Sequence, residues 1–142
     1  MTIHNVQNRR SGKPAIMIGK TDHERLSNLA TDSLDRMPSV ADELLGELER
    51  ARIVRPEAIP ANVVTMGSVL EYRADTGQQR QVTLVYPAEA DIAAGKVSIL
   101  TPIGTALIGL SEGQSIEWTA RDARVHRLTV LSVKQPVAVE QS

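Results

Sequence analysis

The sequence contains no cysteine and no phenylalanine. Without thiols there can be no disulfide, no thiol nucleophile and no cysteine-ligated metal centre, and the composition agrees with a reducing compartment. The aromatic residues are one Trp and two Tyr, so the core must be aliphatic, and a stacking platform for single-stranded nucleic acid has little to be built from. No apolar run approaches the roughly 18 residues of a membrane span, and the opening residues lack a secretory hydrophobic region. A cytoplasmic protein without a membrane partner is therefore expected. Gly-x-Ser-x-Gly, the phosphate-binding loop and the dinucleotide fingerprint are all missing. The three histidines, His4, His23 and His126, stand far apart and at no ligand spacing. Neither a small-molecule substrate, nor a cofactor, nor a metal centre, nor a catalytic residue is expected, so the protein reads as a non-enzyme.

Hydrophobic residues make up 42% of the 142, enough to bury a core in one domain carrying a smaller appendage. The net charge of −1 hides a segregated pattern. Residues 1–20 carry Arg9, Arg10, Lys13 and Lys20 and no acid, residues 21–49 carry eight acids against Arg25 and Arg36, and residues 50–60 are basic again. An acidic segment repels bare nucleic acid. It suits a protein partner or a cation, or is simply a solvated helix face.

Residues 1–13 lack periodicity and read as a tail, and the apolar run Ala15–Ile18 reads as a strand or an arm lying on the body. Thr21-Asp22-His23-Glu24 has the form of a capping box, and Leu26, Leu29 and Ala30 mark one face of a helix ending near Asp32 or Ser33. A second cap signal begins at Ser39, after Pro38. Leu44, Leu45 and Leu48 then continue a helix toward Ile53. The pair, residues 21–53, makes an antiparallel hairpin about 20 Å long at 1.5 Å per residue. Pro56 and Pro60 sit in a linker, residues 54–62, after which the apolar period changes from 3.6 to 2. Beyond it, residues 63–135 predict about five strands: Val69 to Arg73, Gln81 to Tyr86, one at Val97 and Ile99, one at Ile116 and Trp118, and a long one from Val125 to Val133. Between the third and fourth strands, Pro102 is preorganised for a first helical turn and Ala106, Leu107 and Leu110 repeat at helix spacing. The fold class is α+β: a helical hairpin followed by a small antiparallel sheet with one short helix, closed by a tail at 136–142.

Asp32 and Asp35 are the one constellation with chemical potential. Two carboxylates at i and i+3 on a turn can share a hard cation such as Mg²⁺, or can belong to a solvated loop.

Three stretches carry a family likeness: Pro60-Ala61-Asn62-Val63-Val64-Thr65-Met66-Gly67-Ser68-Val69, then Leu84-Val85-Tyr86-Pro87-Ala88, then Thr101-Pro102-Ile103-Gly104-Thr105-Ala106-Leu107-Ile108-Gly109-Leu110. In this order and spacing the chain resembles, over residues 15–135, the GreA/GreB family of bacterial transcription elongation factors, and within it a branch with a shortened coiled coil. The resemblance implies an N-terminal antiparallel coiled coil and a C-terminal FKBP-like domain. It implies RNA polymerase as the partner, with nucleic acid met only through the polymerase. The C-terminal domain would dock on the rim of the secondary channel through Thr101, Pro102, Ile103, Gly104 and Thr105, and the hairpin tip, with Asp32 and Asp35, would face the channel. In the long members an acidic tip pair helps hold the catalytic Mg²⁺ and transcript cleavage follows. A 20 Å hairpin implies binding at the channel entrance and competition with other channel factors, with cleavage stimulation through the acidic tip as the alternative. Family positions that carry charge are Thr105 and Gln114 here. Prolyl isomerase activity, known for the FKBP-like fold, is not expected from so few aromatics.

Overall fold

The computed structural model describes residues 13–136; His4, Arg9, Arg10 and the tails expected at both ends fall outside them, apart from Lys13 and Pro136. The chain runs β1 (Met17–Gly19), α1 (Lys20–Ser33), α2 (Pro38–Arg50), β2 (Arg52–Val54), β3 (Val69–Ala74), β4 (Gln79–Val85), β5 (Lys96–Ser98), α3 (Pro102–Leu107), β6 (Ser115–Thr119) and β7 (Val125–Lys134). Short 3₁₀ turns lie at Pro56–Ala58, Pro87–Glu89 and Ile92–Ala94.

The hairpin forms where the apolar spacing predicts it, but neither cap is as expected. Helix α1 starts at Lys20 behind Gly19, and α2 starts at Pro38 behind Met37, with no side-chain cap at either end. Proline at the first helical position forfeits an N–H that would be orphaned anyway, so Pro38 opens the helix rather than standing outside it. Thr21 is thus inside the first turn, and the four residues from Leu34 to Met37 close the hairpin. His23 Nε2 donates to Leu48 O at 2.9 Å and ties the base of one helix to the other.

Helix α2 ends at Arg50, and residues 52–54 do not continue toward a free linker. They pair in parallel with β1, Ile18 opposite Ile53. The segment expected as a strand or an arm is thus a strand, with Ile16 and Ile18 almost fully buried. Met17 N–H donates to Gly109 O (3.2 Å) in the body, and Arg52 N–H donates to Ile16 O (3.0 Å) below the hairpin. Gly109 takes φ +82°, and a Cβ there would stand 2.8 Å from Ile16 Cβ.

Five strands form one sheet in the order β5-β4-β3-β7-β6. The expected antiparallel sheet is mixed, because β5 pairs in parallel with β4 after a loop that carries the chain back to the starting end. Strand β7 lies inside the sheet, paired with β3 on one side and β6 on the other. Helix α3 has Pro102 at its start and Thr101 as cap, its hydroxyl accepting from Gly104 N–H at 3.1 Å.

One core joins the parts. Leu26, Ala30, Leu44 and Leu48 of the hairpin belong to the same buried cluster as Ile99, Leu107 and Ile116. Each buried leucine or isoleucine contributes about 1.5–3 kcal/mol, so the hairpin is seated on the body with α2 against α3.

Two glycine substitutions test this packing. Gly46 lies in α2 with open space where its Cβ would be, so Gly46→Ala is expected to stabilise the fold by roughly 1 kcal/mol. Gly109→Ala is expected to cost about 2 kcal/mol or more, since it meets both a positive φ and Ile16. Urea unfolding of both variants measures the difference.

Candidate functional site

Asp32 occupies the last turn of α1 and Asp35 the connecting turn, and both are exposed. The turn is held by Met37 N–H donating to Ser33 O (2.8 Å), and by the buried Ser33 hydroxyl donating to Leu29 O (2.8 Å). Among the described residues no group of three or more His, Asp or Glu side chains stands close enough to hold a metal ion.

The five residues of the α3 segment separate by burial. Thr101, Pro102 and Ile103 are half-buried, whereas Gly104 and Thr105 are buried. A Cβ on Gly104 would fall 2.2 Å from Ser98 O, so the glycine lets α3 lie directly on the end of β5. Thr105 is 3% exposed and its hydroxyl donates to Pro102 O at 3.0 Å. Surface contact along this segment therefore falls to Thr101, Pro102 and Ile103. Gln114 is likewise used internally: Oε1 accepts from Ser111 N–H (2.9 Å) and Nε2 donates to Ala15 O (3.3 Å).

Pro102 and Ile103 form part of an open groove of about 820 Å³ with Tyr72, Val82, Val97 and Trp118. The cross-strand register explains how residues so distant in sequence meet: Tyr72 lies opposite Arg80, and Trp118 opposite His126. The Trp118 and His126 rings are 5.5 Å apart, and His126 stands 3.8 Å from both Asp75 and Asp122. Burial raises the Tyr72 phenol above its ordinary pKa, with Arg80 pulling the other way. Composition and spacing had not pointed to this groove. The alternation of β3 and β6 would have put Tyr72 and Trp118 on chosen faces, but the strand order that makes those faces one surface is not a local property.

A second cleft, of about 570 Å³, lies between the hairpin tip and the β6–β7 turn, with Arg36, Met37 and Pro38 on one wall and Thr119, Arg121 and Ala123 on the other. The tip thus borders the body rather than standing clear of it. At the other end of α1, Arg25 lies 5.2 Å over the Tyr86 ring. The Tyr86 hydroxyl is buried with no hydrogen bond among the described residues, and burial, then the Asp22 charge, raise its pKa against the pull of Arg25. Burial also raises Asp22, with Arg25 and the Met66 N–H opposing. Glu43, on α2, is raised by burial too, Lys13 opposing and Glu47 and Asp42 adding to it.

A seated helical hairpin followed by a curled mixed sheet with α3 against it defines the α+β architecture of a transcription factor of the GreA/GreB type. The family model described as "Transcription elongation factor, GreA/GreB, C-term" matches residues 59–135, and that described as "Rnk N-terminus" matches residues 14–54. The chain belongs to the GreA/GreB family, in the branch with the Rnk-type N-terminus. It is 38% identical over 128 residues to the Escherichia coli K12 protein named regulator of nucleoside diphosphate kinase, covering 89% of this chain and 94% of that one. It is 36% identical over 92 residues to transcription elongation factor GreA of Thermodesulfovibrio yellowstonii, covering 64% of this chain and 58% of that one. A solved GreA/GreB structure from Nitrosomonas europaea superposes with a TM-score of 0.68 at 40% identity, over 84% of this chain and 98% of that one. Family membership supports a role of the transcription-factor kind, and no helix of the described residues is long and apolar enough to cross a membrane.

The Asp22 environment has a measurable consequence. Its folded pKa lies above the ordinary 3.8, so between those two values the folded state binds more protons than the unfolded one. The contribution of Asp22 to stability therefore falls as pH rises through that interval and stays low above it. Asp22→Asn is expected to remove this slope. The difference in thermal midpoint between wild type and variant, followed from acid to neutral pH, checks the sign.

Proposed function

We propose that the protein is a non-enzymatic regulator that binds RNA polymerase at the entrance of the secondary channel and competes there with other channel-binding factors. The observation that carries this reading is the size and seating of the hairpin. Helix α1 has 14 residues and α2 has 13, so the hairpin is about 20 Å long, and α2 is held along the body by a shared core. A tip so short and so placed fits the rim of a channel better than its depth. Thr101, Pro102 and Ile103 are the docking residues in this reading. Asp32 and Asp35 face the channel mouth without delivering a cation to the polymerase centre.

The alternative is a cleavage factor acting through Asp32 and Asp35, favoured by the exposure of both carboxylates at the tip. An influence on nucleoside diphosphate kinase, the activity named for the Escherichia coli relative, would be indirect, through transcription.

Stalled elongation complexes separate the two readings. With purified polymerase and Mg²⁺, the protein alone is expected to leave the transcript length unchanged. Added to a long-hairpin Gre factor, it is expected to slow that factor's cleavage in a concentration-dependent way. Shortened RNA with the protein alone, lost in Asp35→Asn, would establish the alternative. Failure to bind polymerase at all would sink both.

A further inference from the structure

The groove and the cleft are continuous. Pro102, Ala120 and Arg121 line both hollows, so they meet across the end of β6. At the far side of the groove stands Ile92, 79% exposed, and at the far side of the cleft stands Met37, 37% exposed. The hydrophobic floor between them is built by Ile103, Val97 and Trp118. Scattered apolar residues on a surface need no explanation, but a continuous apolar track with exposed apolar residues at both ends marks an interaction site.

Arginines make up three of the five charged side chains that line the track. Arg36, Arg80 and Arg121 are exposed and lie respectively on the tip, on the groove edge and at the junction. None of the three is ion-paired among the described residues. Two acids line the same surface, and Asp32 and Asp35 are exposed on the tip near Arg36. Asp122 already accepts from Arg124 N–H at 2.9 Å, and Glu43 lies on the α2 flank of the cleft. Three guanidinium groups beside an apolar floor are complementary to carboxylates flanking apolar side chains. The hairpin cannot swing aside to free the track, because its buried Leu44 and Leu48 belong to the common core.

We propose that the groove and the hairpin tip form one bipartite seat, which grips a single surface element of RNA polymerase bearing apolar side chains flanked by carboxylates. The tip is then a wall of the docking site rather than a separate probe. This rests on the reading that polymerase is the partner.

The test is equilibrium binding of the full-length protein to core polymerase from the same organism, at low and high ionic strength. Four exposed positions are changed: Arg36→Glu and Met37→Glu on the tip, Ile92→Asp on the groove edge, and Arg121→Glu at the junction. Thermal unfolding confirms that each variant is folded. Tip and groove variants alike are expected to weaken binding by about tenfold or more, and the losses from the two arginine changes are expected to shrink at high salt. Groove variants that lose affinity beside tip variants that bind like wild type would overturn the bipartite seat and leave the polymerase reading standing. A wild-type protein that does not bind polymerase would overturn both. If the changes abolish self-association of the free protein and leave polymerase binding unchanged, the occupant is a second copy of this chain and the proposal falls.

Discussion

The structure depends on the arm, residues 13–19, being threaded between the hairpin and the body. Its backbone is bonded on both sides: Met17 to Gly109 of the body, Ile16 to Arg52 beneath the hairpin. Its side chains Ile16 and Ile18 fill the core where the two parts meet. Its first described residue, Lys13, reaches the buried Glu47 of α2 at 2.7 Å, and Arg50 donates from Nε to the same carboxylate at 2.9 Å. The buried carboxylate has one cationic partner on the arm and one on its own helix, which ties the arm to α2. The arm thus fixes where the hairpin lies, and two short helices that would be marginal by themselves gain a rigid support.

Helix α3 is the second consequence of that arrangement. It is too short to stand alone, and it persists because α2 covers one side while Gly104 lets the other lie on β5. This packing takes Gly104 and Thr105 out of the surface and leaves Thr101, Pro102 and Ile103 at the groove. A family motif read along the chain therefore combines two jobs. Part of it holds the hairpin to the body, and part faces outward. Thr105 belongs to the first: a charged side chain in that buried position would need a partner of its own, and the neutral threonine bonds within its own helix instead.

The functional reading follows from the same geometry. A hairpin whose flank is consumed by packing has its tip beside the body, where Arg36 and Met37 share a cleft with Arg121. Asp22 and Tyr86 are half-buried at the helix–body boundary, and burial raises the pKa of both.

Much was legible in the sequence because it depends on local chemistry. The apolar period of 3.6 at Leu26, Ala30, Leu44 and Leu48 predicted two helices, and all four residues are buried. Pro102 at a helix start and the strand pattern at Ile116 and Trp118 were visible for the same reason: each follows from backbone restriction or alternation within a few residues. The caps misled, since Thr21 and Ser39 have the right chemistry but are each the second residue of helices that start at Lys20 and Pro38. What only the tertiary structure decided is long-range. The parallel pairing of β1 with β2, the reversal that makes β5 parallel to β4, and the assembly of Tyr72, Ile103 and Trp118 into one groove all join residues whose proximity no local pattern specifies. The sequence by itself determined which elements form and which faces they must bury. The order in which those faces met, and hence which residues remained outside to touch a partner, was settled by packing, because burying one shared core allows few arrangements of the same pieces.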